Sequence, residues 1–404
     1  MIRPRPLTTP ASLLRRAVIV LGAVSLLAPR AAGLIDLNEG RDKVAVTADY
    51  GISYDSNLFA RSDSPGDSSQ SLTLGAAYNR QAGILGFNAT ASIARARFQR
   101  YSEEDYTNPS LALDLRKNDG RLTGALSLKA QRESRSDDAA NVRANSWNYT
   151  AGLNLRYPVN DRYHLASESD VSIRDYVGNP TADASPGGPA AGTRLYDLSS
   201  YAEAIDLYYA YSSKLDLLGG YRIRYGEASG GSHTWDEAFT VGGTGAILPK
   251  LSGTIRGGYQ TRDVSGPDGG HYDDVTGSFM LAWPLSRQIT FNFQTAKDFM
   301  TAATDVSVDA TSVDLSATIK PNFRVKIALT GEAGYTSSRY LGPRGAVDGV
   351  SREDRTWSFL VKLSVPIKDH FAAEFACGYL SNDSNLDLSK YRRRTASLDL
   401  SLHY

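Results

Sequence analysis

The last ten residues, Thr395-Ala396-Ser397-Leu398-Asp399-Leu400-Ser401-Leu402-His403-Tyr404, decide how the rest of the chain is read. Ala396, Leu398, Leu400, Leu402 and Tyr404 share one side of an extended strand, and Ser397, Asp399, Ser401 and His403 share the other, because strand side chains alternate with period two. A soluble chain seldom stops on the last residue of its cleanest amphipathic strand, since termini fray. The stretch therefore poses a choice between the edge of a soluble sheet and the wall of a membrane barrel.

Composition narrows that choice. The 404 residues carry 44 Lys and Arg against 44 Asp and Glu, and the balance gives no basic face for nucleic acid. A mean hydropathy of −0.32 excludes a bundle of apolar helices. Tyr, at 23 against 12 Phe, suits surfaces that are half wet and half greasy. At the N-terminus Arg3, Arg5, Arg15 and Arg16 precede the apolar run Ala17 to Ala28 and the small residues Ala31, Ala32 and Gly33. Residues 1–33 read as a cleaved secretory signal, 34–42 as a periplasmic segment and 43–404 as the folded body. The single Cys, Cys377, has no intrachain partner, so a disulfide framework and a thiolate metal site are both excluded. Without a later apolar helix, a secreted chain can cross a membrane only as a closed barrel.

From residue 43 the chain repeats one theme, an alternating strand followed by a connection. Leu111, Leu113 and Leu115 face Leu122, Leu126 and Leu128 across an Asn-Asp-Gly turn, the chemistry of a short hairpin. The segment 145–160 alternates without a fault through Trp147, Tyr149, Ala151, Leu153, Leu155 and Tyr157. Only 84–98 changes phase, with Ala89, Ala91 and Ile93 on one parity and Ala94, Ala96 and Phe98 on the other, which predicts a bulge near Ile93. Long connections at 55–67, 101–108, 134–145, 176–193, 227–233, 264–271, 298–306, 337–353 and 381–390 alternate in phase with short turns. That asymmetry predicts an all-β, antiparallel, up-and-down transmembrane barrel of about 18 strands, with 16 as the alternative, short periplasmic turns and longer outer loops. A sandwich has no reason to keep the alternation in phase.

Alternation also assigns the two faces. Outward aromatics gather where head groups lie, at Trp147, Tyr225, Trp235, Tyr335, Trp357 and Tyr379 above and at Tyr157, Tyr209, Tyr211, Trp283 and Tyr404 below. The inward, pore-lining side receives Arg95, Arg97, Arg116, Lys129, Arg156, Arg174, Arg222, Arg224, Arg256, Arg324, Lys326 and Lys362. It also receives Asp49, Asp114, Glu168, Asp170, Glu203, Asp206, Asp236, Asp314, Glu332, Glu374 and Asp399. A charge at mid-depth in lipid costs about 2–4 kcal/mol, so this many must line a hydrated interior. Both signs occur in similar number, so strong ion selectivity is not expected.

The chain offers no catalytic constellation. His164, His233, His271, His370 and His403 are scattered, no two stand at metal-ligand spacing, and none has a Ser and acid set that survives the strand assignment. No catalytic residue, metal or cofactor is assigned. Asp-Ser-Asn-Leu occurs at 55–58 and again at 383–386. Closing the barrel would bring these loops together, so an Asp-rich rim site for a divalent cation stands beside ordinary loop composition.

Two stretches resemble known proteins. The C-terminal strand resembles that of bacterial outer-membrane barrels, which implies recognition by the barrel-assembly machinery. Asp55-Ser56-Asn57-Leu58-Phe59, between a first and a second strand, resembles the opening motif of the family called putative β-barrel porin 2. The resemblance implies the bacterial outer membrane, with lipid and lipopolysaccharide around the wall. It also implies polysaccharide export with a separate periplasmic export protein as partner. Three functions remain open here: an exopolysaccharide conduit, a passive or sugar-selective porin, and a non-conducting structural or adhesive barrel.

Overall fold

The computed structural model describes residues 35–403 apart from 38–41, 81–82, 179–193, 268, 322–326, 348 and 369. Eighteen long strands form its wall. The first six are β1 (Asp42–Asp55), β2 (Asp67–Arg80), β3 (Leu85–Phe98), β4 (Tyr106–Lys117), β5 (Thr123–Asp137) and β6 (Val142–Pro158). Next come β7 (Tyr163–Tyr176), β8 (Leu198–Ser212), β9 (Leu215–Ala228), β10 (His233–Leu248), β11 (Leu251–Ser265) and β12 (Gly270–Pro284). The circuit ends with β13 (Ile289–Ala302), β14 (Val306–Ile319), β15 (Ala328–Tyr340), β16 (Glu353–Lys368), β17 (Phe371–Ser384) and β18 (Tyr391–His403). Each strand pairs antiparallel with its neighbours in sequence, and β1 pairs with β18. The sheet is a closed 18-strand barrel, and the 16-strand alternative falls away.

The closing seam runs from Thr47 opposite His403 to Asp55 opposite Thr395. Below it β18 has ended, and the short strand Ile35–Leu37 takes over the free edge of β1, with Ile35 opposite Val44 and Leu37 opposite Asp42. Backbone groups that would otherwise lie unpaired at the lower rim are thereby satisfied. Residues 1–34 and Tyr404 lie outside the described residues, so the signal segment and the terminal aromatic have no structural account.

Cross-strand partners share a face, so the register fixes orientation throughout. Val46, Leu72, Leu74, Leu111, Leu128 and Tyr149 stand on the outer face and are widely exposed. The expected bulge near Ile93 is absent: β2 and β3 pair without a shift from Ser69 opposite Phe98 to Arg80 opposite Phe87. Leu72 stands opposite Arg95 and Gln70 opposite Arg97, so both arginines project outward near the upper end of β3. The sequence phase misled because Ala94 and Ala96 are inward residues that look apolar, and Ala96 is buried beneath the outer connections.

Two of the expected long loops are mostly strand. The connection assigned to 134–145 shrinks to four residues between β5 and β6, and that at 298–306 shrinks to three between β13 and β14. Both hairpins continue upward after pairing with their outer neighbours stops. β4 pairs with β5 only up to Ser110 opposite Gln131, and β12 pairs with β13 only up to Gly277 opposite Lys297. Above those points the hairpins lean inward.

Glycines on β10 to β12 let backbones approach closely. A Cβ on Gly258 would sit 1.8 Å from the carbonyl oxygen of Phe239, whereas one on the neighbouring Gly257 would meet nothing within 4 Å. Gly258→Ala is expected to cost at least about 1–3 kcal/mol through overpacking and to lower the folded fraction, while Gly257→Ala leaves it unchanged. Heat-modifiable gel mobility of the two variants in outer-membrane fractions checks this.

Candidate functional site

The inner face is polar by period and organised by ion pairs. Asp49, Asp114, Arg116, Lys129, Arg156, Glu168, Arg174, Arg222, Arg224 and Arg256 project inward, as do Asp314, Glu332, Lys362 and Glu374. Asp170, Asp206, Asp236 and Asp399 share that face. Arg324 and Lys326 lie outside the described residues. Glu203 is a correction: it stands opposite Ser169 and Ile223 on the outer face. There the hydroxyls of Ser167 (2.7 Å) and Ser169 satisfy its carboxylate. Glu203 was misassigned because a charge was taken as inward by default, whereas the wall register places it with Ile205 and Leu207. Of the aromatic residues expected outside, Trp147, Tyr157, Tyr209, Tyr225, Trp235, Trp283, Tyr335, Trp357 and Tyr379 are on the outer face. Tyr211 continues that parity and is 67% exposed.

A ladder of charges climbs the inner wall from β8 to β11. Asp206 reaches across two strands to a bidentate pair with Arg256, at 2.8 and 2.7 Å. It can lean that far because Gly220 on β9, between them, has no side chain: a Cβ there would lie 2.0 Å from the Asp206 carboxylate. Higher up, Asp236 is gripped by Arg262, with both contacts at 2.7 Å, and by Arg224. Arg222 and Arg224 also hold Asp298 of β13, at 2.7 and 3.1 Å. Arg262 is 1% exposed and donates to the carbonyl of Met300 at 2.8 Å, with the Phe299 ring beneath it. These contacts bolt the inward-leaning β13–β14 hairpin to the inner surface of β9–β11. Sequence reading put Arg222, Arg224 and Asp236 inside but missed Arg262 and Asp298. The apolar Val264 and Phe299 beside them hid the alternation.

The β5–β6 tip bridges the outer mouth. Ala140 is wholly buried and Asn141 takes a left-handed φ of 54°. Asn141 donates to the carbonyl of Ala60 at 2.6 Å and accepts from the Ser389 hydroxyl at 3.1 Å. Arg352 donates to the carbonyls of Ala139 and Asp138 at 2.7 and 3.0 Å, and the Tyr391 hydroxyl donates to Asp138 at 2.8 Å. Ala140 and Ala144 pack with Leu195 and with Ala303 at the tip of the β13–β14 hairpin. Connections rising from five other points of the rim therefore meet on this one tip.

The Asp55-Ser56-Asn57-Leu58-Phe59 motif has a structural job at the same rim. Asp55 pairs with Arg393 of β18 and accepts the backbone N–H of Asn57. Asn57, 4% exposed, donates to the carbonyls of Arg61 and Arg392. The motif ties the first strand to the last. The rim cation reading gives way here, because Asp55 is already neutralised by an arginine, and no group of three or more His, Cys, Asp or Glu able to hold a metal occurs among the described residues.

Residues 236–404 match the family model described as Putative beta-barrel porin 2. The matched stretch runs from β10 to the end, so the motif at 55–59 lies outside it. The fold is that of a β-barrel of the bacterial outer membrane, and its second half is similar to that porin family. Among solved structures, OpdK of Pseudomonas aeruginosa with vanillate is 12% identical, with a TM-score of 0.47 over 89% of this chain and 99% of that one. The FrpB iron transporter of Neisseria meningitidis is 10% identical, with a TM-score of 0.47 over 89% and 81%. OccAB3 of Acinetobacter baumannii is 10% identical, with a TM-score of 0.46 over 90% and 99%. No curated protein matches the chain in sequence.

Breaking one side of a buried ion pair strands the other charge, at about 3–5 kcal/mol. Asp236→Ala is expected to destabilise the barrel by that order and to free the β13–β14 hairpin. Protease cleavage at 303–305, together with a lowered thermal transition in detergent, checks both.

Proposed function

We propose that this barrel is the gated outer-membrane conduit of an exopolysaccharide export system. The observation that carries the reading is the bridged outer mouth above a hydroxyl-, amide- and ion-pair-lined interior. A passive porin works best with its mouth open at all times. An exporter must close when no polymer is in transit, and do so with contacts weak enough to part.

The contacts at the β5–β6 tip have that character. Their apolar part is small, Ala140, Ala144, Leu195 and Ala303 with Val142 and Tyr176 against them, and Ala139 beside Val306, Val308 and Tyr340. The rest is a handful of hydrogen bonds, worth about 1 kcal/mol net between neutral groups and about 1.5–3 kcal/mol where Arg352 or Asp138 takes part. Moving a two-state equilibrium from mostly closed to mostly open takes about 5.5 kcal/mol of differential binding, which a polymer touching many lumen groups can supply. The family match supports an outer-membrane channel, and the polysaccharide assignment rests on the resemblance described above together with the hydrogen-bonding surface that hydroxyls, amides and the paired charges present.

A small-sugar porin is the second reading, favoured by one feature. Asn292, Gln294, Asp314, Ser316, Glu332 and Ser358 line a cavity of about 370 Å³ on the inner wall of β13–β16. Its size and amides suit one or two sugar rings.

Deleting the gene and measuring surface polysaccharide and small-sugar uptake separates the two: lost polymer with normal uptake supports export, and the reverse supports the porin. Planar bilayers test the gate. The wild type is expected to pass little steady current, and Arg352→Ala combined with Asn141→Ala to raise it several-fold by releasing the tip. Silence of both proteins at every voltage would favour a non-conducting barrel.

A further inference from the structure

Near the upper ends of the strands the outer wall is unevenly charged, which neither the channel nor its gate requires. On one half, near the upper ends of the strands, the outward side chains include Arg95 and Arg97 of β3 and Arg392 and Arg394 of β18, beside Glu353 and Arg355 of β16 and Asp383 of β17, so cations are in excess there. None of the four arginines of β3 and β18 forms an ion pair among the described residues, and all four are exposed. On the other half the outward side chains near the same level include Glu203 of β8, Glu237 of β10 and Asp273 of β12. Among the described residues of β7 to β12 no Lys or Arg stands on the outer face.

These carboxylates are held in place but not neutralised. Glu237 accepts from the Tyr221 hydroxyl at 3.0 Å and Asp273 from the Tyr259 hydroxyl at 2.5 Å, while Ser167 and Ser169 hold Glu203. A carboxylate has about four acceptor sites, so each keeps capacity for a cationic partner. Bare anions at this height are ill suited to a leaflet whose head groups are themselves anionic. The wall above Gly277 is also where β12 has no strand on its β13 side, which leaves a free edge in the middle of the acidic half.

We propose that the occupant of the acidic half is the arginine half of a second copy of this chain. Arginine is well suited to such contacts because its planar fork meets a carboxylate at two points. The geometry also sets the form of the assembly. Going round the sheet from β3, which carries Arg97, to β12, which carries Asp273, takes nine steps in a ring of eighteen, so the two patches face opposite ways. A head-to-tail contact between opposite faces adds each copy with little rotation, so it builds an open row in the membrane plane instead of a closed ring.

The test uses the full chain in native outer membranes, with Cys377→Ser to remove the exposed thiol on β17. Gln70→Cys, opposite Arg97, and Val275→Cys, two residues from Asp273, supply the crosslinking pair. A short bismaleimide is expected to give a ladder of dimer, trimer and higher species. Arg95→Glu with Arg97→Glu should lose the ladder, and so should Glu237→Lys with Asp273→Lys, with heat-modifiable mobility showing that each variant folds. Co-expressing the two reversed sets should bring the ladder back, because every interface is then complementary again. Ladders that persist in both reversed sets, or that fail to return on mixing, overturn the proposal. If the acids instead hold glycolipid through divalent cations, a chelator strips that lipid from the wild type and mixing restores nothing.

Discussion

Everything in this protein depends on pairing every backbone polar group in a place without water. An unpaired N–H or C=O in hydrocarbon costs several kcal/mol, so a sheet can cross only if its first strand finds its last. Here that seam runs between Thr47–Asp55 and Thr395–His403, and both of its ends are reinforced. The upper end is tied by Asp55 to Arg393 and by Asn57 to the carbonyl of Arg392. The lower end is capped by Ile35–Leu37 lying along β1. A motif that reads in sequence as a signature, or as half of a cation site, is in physical terms the fastening of the ring.

Once the ring closes, period two does the rest of the partition, and a slip of one residue would turn every lumen charge into lipid. Some inward charges are then close enough to satisfy one another, above all those around Asp206, Asp236 and Asp298. This gives the mouth two different mechanical parts. The β13–β14 hairpin is fixed by Asp298 on Arg222 and Arg224 and by its Met300 carbonyl on the buried Arg262, which Asp236 of the wall holds in place and whose loss of that partner would strand a charge. The β5–β6 tip that leans against it is held by alanines, carbonyl contacts and one left-handed asparagine.

The strand count, the alternation and the long and short sides were legible because each is written locally, in the parity of successive residues. Trp147, Trp235 and Trp357 could be aimed outward from their neighbours alone. Arg95 and Arg97 could not, since Ala94 and Ala96 are small enough to occupy either face and only the partner strand, with Leu72 opposite Arg95, decides. Glu203 failed for a related reason: serines on the neighbouring strand β7, Ser167 and Ser169, make an outward carboxylate tolerable. The inward lean of the two hairpins was out of reach altogether. It begins where one neighbour stops pairing, at Gln131 and at Lys297, and is fixed by contacts that span most of the chain, such as Arg352 with Ala139.

What a solute meets inside follows from how those charges are spent. An arginine 2.7 Å from its carboxylate presents a dipole and not a net charge, and its field decays within a few ångströms in water. Where the charges are paired in this way, the wall is muted toward an ion and still rich in donors and acceptors at contact distance. Such a surface holds hydroxyl-rich molecules by many weak bonds, none of which need be broken at great expense when the molecule moves on. Discrimination must then come from shape at the mouth, and that is where Ala140, Asn141 and Arg352 are placed.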